Sequence, residues 1–147
     1  MAEKGIRPRK TPCSSCPYRR DVPSGVWAAG EYEKLRGYDG DTADQARAGA
    51  AGVFMCHQGA GEVCAGWAGV HGRDPGNFAL RMAALLDPEI DIRAVREYET
   101  SVPLFASGAE AADHGEREIE HPSPEAVAVT EKVEQVRELR GKPVRRS

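Results

Sequence analysis

Hydrophobic positions recur with the period of an α-helix near the carboxyl end of the chain. Val129, Val133 and Val136 occupy positions i, i+4 and i+7, so they share one side of a helix. Ser123 is a favoured N-cap and a proline follows it, which predicts a helix over 124–141. The valine stripe favours packing against the protein's own core, because two heptads are too few to indicate a coiled coil.

A second periodic segment lies over 75–86. Its larger apolar residues, Phe78, Met82, Leu85 and Leu86, lie three or four positions apart and predict a buried face. Asp74 is expected to cap this helix, since a proline follows it at a favoured first position.

Shorter helices are predicted between stretches rich in glycine and proline. They cover 26–35, 41–47, 62–70, 90–98 and 107–114. Thr42 is expected to cap the second of these helices and Gly115 to end the last. The chain has 16 glycines, 10 prolines and only 6% aromatic residues, which favours long loops around a modest core. The predicted fold class is mainly α, a small irregular single domain with long loops.

No apolar run approaches the roughly 20 residues that span a bilayer. The first ten residues carry charges without an apolar run behind them, so no signal peptide is expected. These features predict a cytoplasmic protein with no membrane contact. In that compartment, paired cysteines are more often metal ligands or redox groups than disulfides.

The net charge of −3 is unevenly distributed. Residues 1–20 carry six lysines and arginines against one acidic residue, and residues 137–147 carry five against one. Basic ends on an acidic body suggest nucleic acid as a partner. The favoured alternative is two solvated ends, because the domain as a whole is not basic.

The four cysteines form two pairs along the chain. Two residues separate Cys13 from Cys16, and seven separate Cys56 from Cys64. A two-residue gap lets both thiolates face one ion from a tight turn, and two such pairs supply the four ligands of a tetrahedral zinc site. Cys64 is expected in the first turn of a helix, where the dipole favours a thiolate. We therefore predict a four-cysteine metal centre that staples the domain.

The identity of the metal is open at this stage. Thiolate ligands suit zinc and iron–sulfur clusters about equally, and a proline directly after Cys16 is typical of iron–sulfur proteins. Zinc is favoured. Two interpretations need no metal: buried free cysteines that act as small hydrophobic residues, and a thiol redox pair formed by Cys13 and Cys16.

Several polar residues lie near the cysteines in sequence. His57 directly follows Cys56 and is expected to support the site, while His71 is a weaker reserve ligand. Arg19 and Arg20 could receive an anion. The favoured alternative is an ion pair with Asp21 that fixes the turn.

Motifs typical of enzymes are missing from the sequence. There is no phosphate-binding glycine-rich loop, no His-Glu-x-x-His and no evident Ser/His/Asp set. A centre closed by four cysteines also leaves no open position for catalysis. We expect a non-enzymatic metal-binding interaction or regulatory protein, with protein or nucleic acid as its partner. The alternatives are an iron–sulfur redox or sensor protein and a thiol-dependent enzyme using Cys13 or Cys16.

Five strings of the chain resemble a small four-cysteine family of unknown function, found in actinobacteria and their phages. They are TPCSSCPYRRDVPSGVW (11–27), EYEKLRGYD (31–39), FMCHQ (54–58), CAGW (64–67) and VPLFASGAEAADHG (102–115). The resemblance runs over about residues 11–115. It implies a site at Cys13, Cys16, Cys56 and Cys64, and it brings no activity, substrate or partner.

The expected organisation has three parts. Residues 1–10 are a disordered basic arm, 11–120 a metal-binding domain, and 121–147 a C-terminal helix with a basic tail.

Overall fold

The computed structural model describes residues 5–59 and 61–138, and these residues form a mainly helical single domain. The helices are α1 (Ala29–Arg36), α2 (Thr42–Arg47), α3 (Ala65–His71), α4 (Phe78–Leu86), α5 (Ile92–Arg96), α6 (Gly108–Glu116) and α7 (Pro124–Glu138). Within the described residues there is no β-strand, only isolated bridges between extended segments. The prediction of a mainly α domain with long loops is confirmed.

Helices α1 and α6 pack against each other. The ring of Tyr32 in α1 lies directly over Gly115, so a side chain at position 115 would collide with it. Gly115 therefore lies inside α6 as a packing glycine, and the prediction that it ends the helix is wrong. The Tyr32 hydroxyl also accepts hydrogen bonds from the backbone N–H groups of Val26 and Trp27, at 3.1 and 3.0 Å. This contact joins the loop before α1 to the helix pair.

Two predicted helix caps are wrong by a few residues. Asp41, not Thr42, caps α2, and it forms a reciprocal capping box with Asp44. Asn77, not Asp74, caps α4 by accepting a hydrogen bond from the Leu80 N–H at 2.9 Å. The first turn of a helix has backbone N–H groups without a partner in the helix. The side chains of Asp41 and Asn77 lie next to the first turns of α2 and α4 and accept from these groups, so they serve as the caps.

The predicted buried face of α4 is also wrong. The residues that pack inward are Ala79, Leu80 and Ala83, whereas Leu85 and Leu86 are 79% and 72% exposed. Apolar residues lie on more than one side of this helix, so periodicity alone cannot select the buried side. Contacts with α2 and α5 select it.

Residues 5–10 differ from the predicted disordered arm. Ile6 N–H donates to the Glu89 carbonyl at 2.6 Å, and Arg9 N–H donates to the Val63 carbonyl at 3.0 Å. Backbone pairing on two sides orders this segment, because each bond satisfies a main-chain group that would otherwise need water. Residues 1–4 of the predicted arm lie outside the described part of the chain.

The last helix, α7, packs against the protein's own core through Ala126, Thr130 and Val133. The Thr130 hydroxyl donates to the Val26 carbonyl at 3.3 Å and to the Ala126 carbonyl at 3.0 Å. This arrangement agrees with the favoured interpretation of the valine stripe. The predicted end of the helix, at 139–141, and the basic tail lie outside the described residues. None of the helices described is long and apolar enough to cross a membrane.

Candidate metal centre

Two segments that are distant in sequence carry the cysteines into one buried region. In the first, the Cys16 N–H donates to the Cys13 carbonyl at 3.0 Å and closes a tight turn. In the second, the Cys56 N–H donates to the Glu62 carbonyl and the Cys64 N–H to the Phe54 carbonyl, both at 2.8 Å. These bonds fold the chain back on itself between Cys56 and Cys64, so a seven-residue gap still brings both cysteines to one place.

The sulfurs of the two segments meet in pairs. Cys16 Sγ lies 3.8 Å from Cys64 Sγ, although the residues are 48 positions apart. The Cys13 and Cys56 thiols form a second interacting pair. All four cysteines are buried and none forms a disulfide. Among the described residues, however, no group of three or more His, Cys, Asp or Glu side chains is arranged to hold one metal ion.

Backbone N–H groups surround the sulfurs. The Gly59 N–H donates to Cys56 Sγ at 3.1 Å, and the Trp67 N–H donates to Cys64 Sγ at 3.4 Å. Cys64 is the N-cap of α3 rather than a residue of its first turn, so its sulfur takes the position of a capping side chain. Donors aimed at sulfur stabilise the thiolate, which is the form that binds metal.

Within each pair, the pKa of one cysteine is lowered and that of the other is raised. The pKa of Cys56 is lowered to about 5, chiefly because the Cys13 thiol donates a hydrogen bond to it, and the pKa of Cys13 is raised. In the same way the Cys64 thiol lowers the pKa of Cys16, while its own pKa is raised by that bond and by burial.

Gly66 allows the closest approach to a cysteine sulfur. A Cβ at this position of α3 would overlap Cys16 Sγ and would lie 2.8 Å from Tyr18 Cβ. The backbone of Gly66 also hydrogen-bonds the Cys16 sulfur. The absence of a side chain at this position is therefore what lets the Cys13–Cys16 turn lie against α3.

His57 contacts a carboxylate and two aromatic rings. Its Nε2 lies 2.8 Å from Glu31 Oε1, and its ring lies between Trp27 and Phe54, with centroid distances of 4.6 and 5.2 Å. The hydrogen bond from His57 lowers the pKa of Glu31 to about 2. Because Glu31 engages Nε2 and aromatic rings hold the imidazole, His57 is oriented toward α1.

His71 is buried at the end of α3. Its Nε2 lies 3.2 Å from the Tyr18 hydroxyl, and Asn77 Nδ2 donates to its backbone carbonyl at 3.2 Å. Burial lowers the pKa of His71 to about 4, so the imidazole is neutral at physiological pH. This contact makes His71 a buried partner of Tyr18.

The two arginines beside the first turn engage groups of the protein. Arg19 forms a two-pronged ion pair with Asp21, at 2.8 and 2.9 Å, and donates to the Pro12 carbonyl at 2.9 Å. Arg20 donates to the Leu104 carbonyl at 3.0 Å, and its guanidinium lies 5.0 Å from the centre of the Phe105 ring. The favoured interpretation, an Arg–Asp pair that fixes the turn, agrees with the contacts of Arg19.

Sequence reasoning missed three polar residues around the site. Gln58 Nε2 donates to Ser15 Oγ at 2.8 Å, and Ser15 Oγ lies 3.6 Å from Cys13 Sγ. Glu31 orients His57 from a different segment. The serine and the glutamine lie within two residues of a predicted ligand, which was the available signal. Nothing local indicated Glu31, because it lies 26 positions from its partner.

Comparison with known proteins adds a family. A family model described as "Family of unknown function (DUF6283)" matches residues 8–137. The match extends beyond the expected resemblance over 11–115 and includes most of α7. No curated protein and no solved structure matches the chain significantly.

Proposed function

The chain belongs to this family of unknown function, DUF6283, and we propose its function from its own residues. Cys13, Cys16, Cys56 and Cys64 bind one metal centre, with zinc as the favoured ion. The centre is structural, and the protein acts as a non-enzymatic interaction or regulatory protein through the surface that the centre holds in place.

The separation of Cys16 and Cys64 carries this proposal. Zinc–sulfur bonds are about 2.3 Å long, so two ligands of a tetrahedral site lie about 3.8 Å apart. Cys16 Sγ and Cys64 Sγ are 3.8 Å apart, and both are almost completely buried. The spacing of these two free thiols matches one edge of a tetrahedral zinc site. Closure of the Cys13–Cys56 pair onto them would complete it.

The donor set fits a soft metal. It consists of thiol sulfurs, and backbone N–H groups at Gly59 and Trp67 stabilise them as thiolates. Thiolates select zinc or iron–sulfur clusters over magnesium and calcium. Four sulfur ligands would leave no position for water or substrate, which is why we assign the centre to stability and not to catalysis.

An iron–sulfur redox or sensor protein is the second candidate, and the pairing of the sulfurs favours it. A cluster of two irons takes two thiolates at each iron. The described cysteines lie as two pairs, Cys16 with Cys64 and Cys13 with Cys56, and no three of them converge on one point. The aromatic residues Tyr18 and Trp67, both fully buried, would shield such a cluster from water.

Metal analysis of protein purified without oxygen tests both candidates. We expect about one zinc per chain and no acid-labile sulfide. A brown protein containing iron and sulfide would instead establish the second candidate. A protein with neither metal would overturn the proposal.

Matched variants identify the ligands. Substitutions Cys16→Ser and Cys64→Ser should each abolish stoichiometric metal, because each removes one edge sulfur. His71→Gln should retain it, since His71 contacts Tyr18 and lies outside the donor set. Full metal content in both serine variants would contradict the assignment.

Regulation through nucleic acid has its own test. Arg7 pairs with Asp91 and Arg19 with Asp21, so part of the N-terminal charge is neutralised within the protein. The partner is therefore proposed as a protein, and binding to DNA and RNA is measured as a function of salt. A steep salt dependence with tight binding at low salt would assign the partner to nucleic acid instead.

A further inference from the structure

The four sulfurs are paired between the two segments and not along them. Cys16 Sγ meets Cys64 Sγ at 3.8 Å, and the Cys13 thiol interacts with the Cys56 thiol. Within the first segment the turn is closed by the backbone, where the Cys16 N–H donates to the Cys13 carbonyl. Cys16 therefore has a cysteine partner on the other segment, and the interaction of Cys13 with Cys56 follows the same pattern.

Cys56 is the cysteine closest to solvent. Its residue is 9% exposed, against 1% for Cys16 and 4% for Cys64. It also lines a surface cavity of about 560 Å³, together with Lys34, His57 and Arg137. Cys13 is 6% exposed, so Cys56 is the cysteine that an oxidant in this cavity would approach first.

We propose that these thiols are a site of reversible disulfide formation when no metal is bound, with crosswise bonds Cys13–Cys56 and Cys16–Cys64. The oxidant is a hydroperoxide, and it reacts first at Cys56. The inference concerns the same four residues as the proposed function and deepens it, because it states what becomes of the donor set after metal loss.

The reaction balances with one hydroperoxide for each disulfide. The Cys56 sulfur attacks one peroxide oxygen, the O–O bond breaks, and the other oxygen leaves as an alcohol or water. The resulting sulfenic acid is attacked by the Cys13 sulfur, so that an S–S bond forms and the S–O bond breaks. The departing hydroxyl takes the Cys13 proton and leaves as water. The same steps at Cys16 and Cys64 consume a second hydroperoxide.

Crosswise bonds have a consequence for the fold. They connect the Cys13–Cys16 turn to the segment around α3, which is the connection that the metal centre would make. Oxidation after metal loss would then keep the two segments attached. A bond between Cys13 and Cys16 would instead release the first segment from α3.

Peptide mapping of the full-length protein tests whether the disulfides join the two segments. The protein is treated with hydrogen peroxide, with and without a chelator, and free thiols are then alkylated. Cleavage at arginine and lysine leaves Cys13 and Cys16 on peptide 11–19 and Cys56 and Cys64 on peptide 48–73. A further cut after Glu62 separates Cys56 from Cys64. We expect the two peptides to be joined. A closed Cys13–Cys16 bond within peptide 11–19, or sulfinic and sulfonic acids in place of disulfides, would overturn the inference.

Paired double variants resolve which sulfurs join. Cys16→Ser with Cys64→Ser leaves the Cys13–Cys56 pair, and Cys13→Ser with Cys56→Ser leaves the Cys16–Cys64 pair. Cys13→Ser with Cys64→Ser is the control, because it leaves the mismatched sulfurs Cys16 and Cys56. The matched variants should form a disulfide at least tenfold faster than the control. Equal rates would refute the pairing. If a variant does not fold, fragmentation of the joined peptides of the unsubstituted protein between Cys13 and Cys16 by mass spectrometry decides which sulfurs join.

The two proposals fail in different ways. Absence of bound metal in purified protein would overturn the proposed function, but the disulfide map would still report the pairing. Stoichiometric zinc together with a Cys13–Cys16 disulfide would overturn only the crosswise pairing.

Discussion

Substitution of Gly66 by alanine tests whether the packing of α3 positions the candidate metal centre. The change adds a single methyl group at a buried position. That methyl would overlap Cys16 Sγ and would lie 2.8 Å from Tyr18 Cβ and 3.4 Å from Tyr18 Cγ. Both neighbours belong to a buried turn held by backbone bonds, so neither side chain can swing away freely.

The expected cost follows from two opposing effects. Alanine is favoured over glycine in a helix by up to about 1 kcal/mol. Forcing an extra methyl into a packed core costs about 1–3 kcal/mol. Because the methyl would overlap Cys16 Sγ, the cost lies in the upper part of this range, so the net loss of stability is about 1–2 kcal/mol. At about 2–4 °C per kcal/mol, this corresponds to roughly 2–8 °C in Tm for a chain of this size. Displacement of Cys16 should weaken metal binding about 10–100-fold, as changes beside metal ligands do.

Two other glycines provide matched controls. Gly69 lies in the same helix, but alanine there would meet the flexible end of Leu104 and no cysteine. Gly30 in α1 has no atom within 4 Å of an added Cβ. Gly69→Ala should keep normal metal affinity, and Gly30→Ala should leave the protein as stable or slightly more stable.

Competition with a chromogenic chelator measures metal affinity, and thermal unfolding measures stability. A Gly66→Ala protein that binds metal as tightly as the parent and unfolds at the same temperature would refute the packing argument. Equal losses of metal affinity in Gly66→Ala and Gly69→Ala would also refute it, because only one of them approaches a cysteine.

Three further predictions concern the scaffold. His71 has a pKa of about 4 in the folded protein against about 6.5 when unfolded, so burial of its neutral form contributes about 3 kcal/mol of stability that is lost as pH falls from 6.5 to 4. The free energy of unfolding in denaturant should therefore depend less on pH across this range in His71→Gln than in the parent protein. Titration of His71 near pH 6.5 by NMR would contradict the assignment. Tyr32→Phe removes the acceptor for two backbone N–H groups and should cost about 1–3 kcal/mol by chemical denaturation, whereas Tyr98→Phe, at an exposed hydrogen bond, should cost less. Asp39→Ala removes the carboxylate that accepts hydrogen bonds from the Gly108 and Ala109 N–H groups, each at 2.8 Å, and should lower the free energy of unfolding by about 1–2 kcal/mol. A decrease below about 0.5 kcal/mol, the value expected of an ordinary surface change, would show that this contact does not hold α6 in place.

Local features of the sequence were sufficient to locate the helices. The spacing of apolar residues and the cap Ser123 identified α7, because a helix depends on contacts three or four residues apart and on side chains next to its ends. Short-range chemistry also indicated the Arg19–Asp21 pair, whose partners lie two positions apart. The exact cap was less predictable where two suitable residues were adjacent, as with Asp41 and Thr42.

The spacing of the cysteines determined which residues form the candidate site, but not how their sulfurs pair. Cys13 and Cys16 look like one pair in sequence, yet Cys16 Sγ meets Cys64 Sγ, 48 positions away. In the same way, the buried side of α4 follows from its contacts with α2 and α5, and the partner of His57 comes from α1. Each of these outcomes joins residues far apart along the chain. Only the tertiary path of the backbone decides them, because the free energy of burying a thiol or a helix face depends on what lies opposite it and not on its neighbours in sequence.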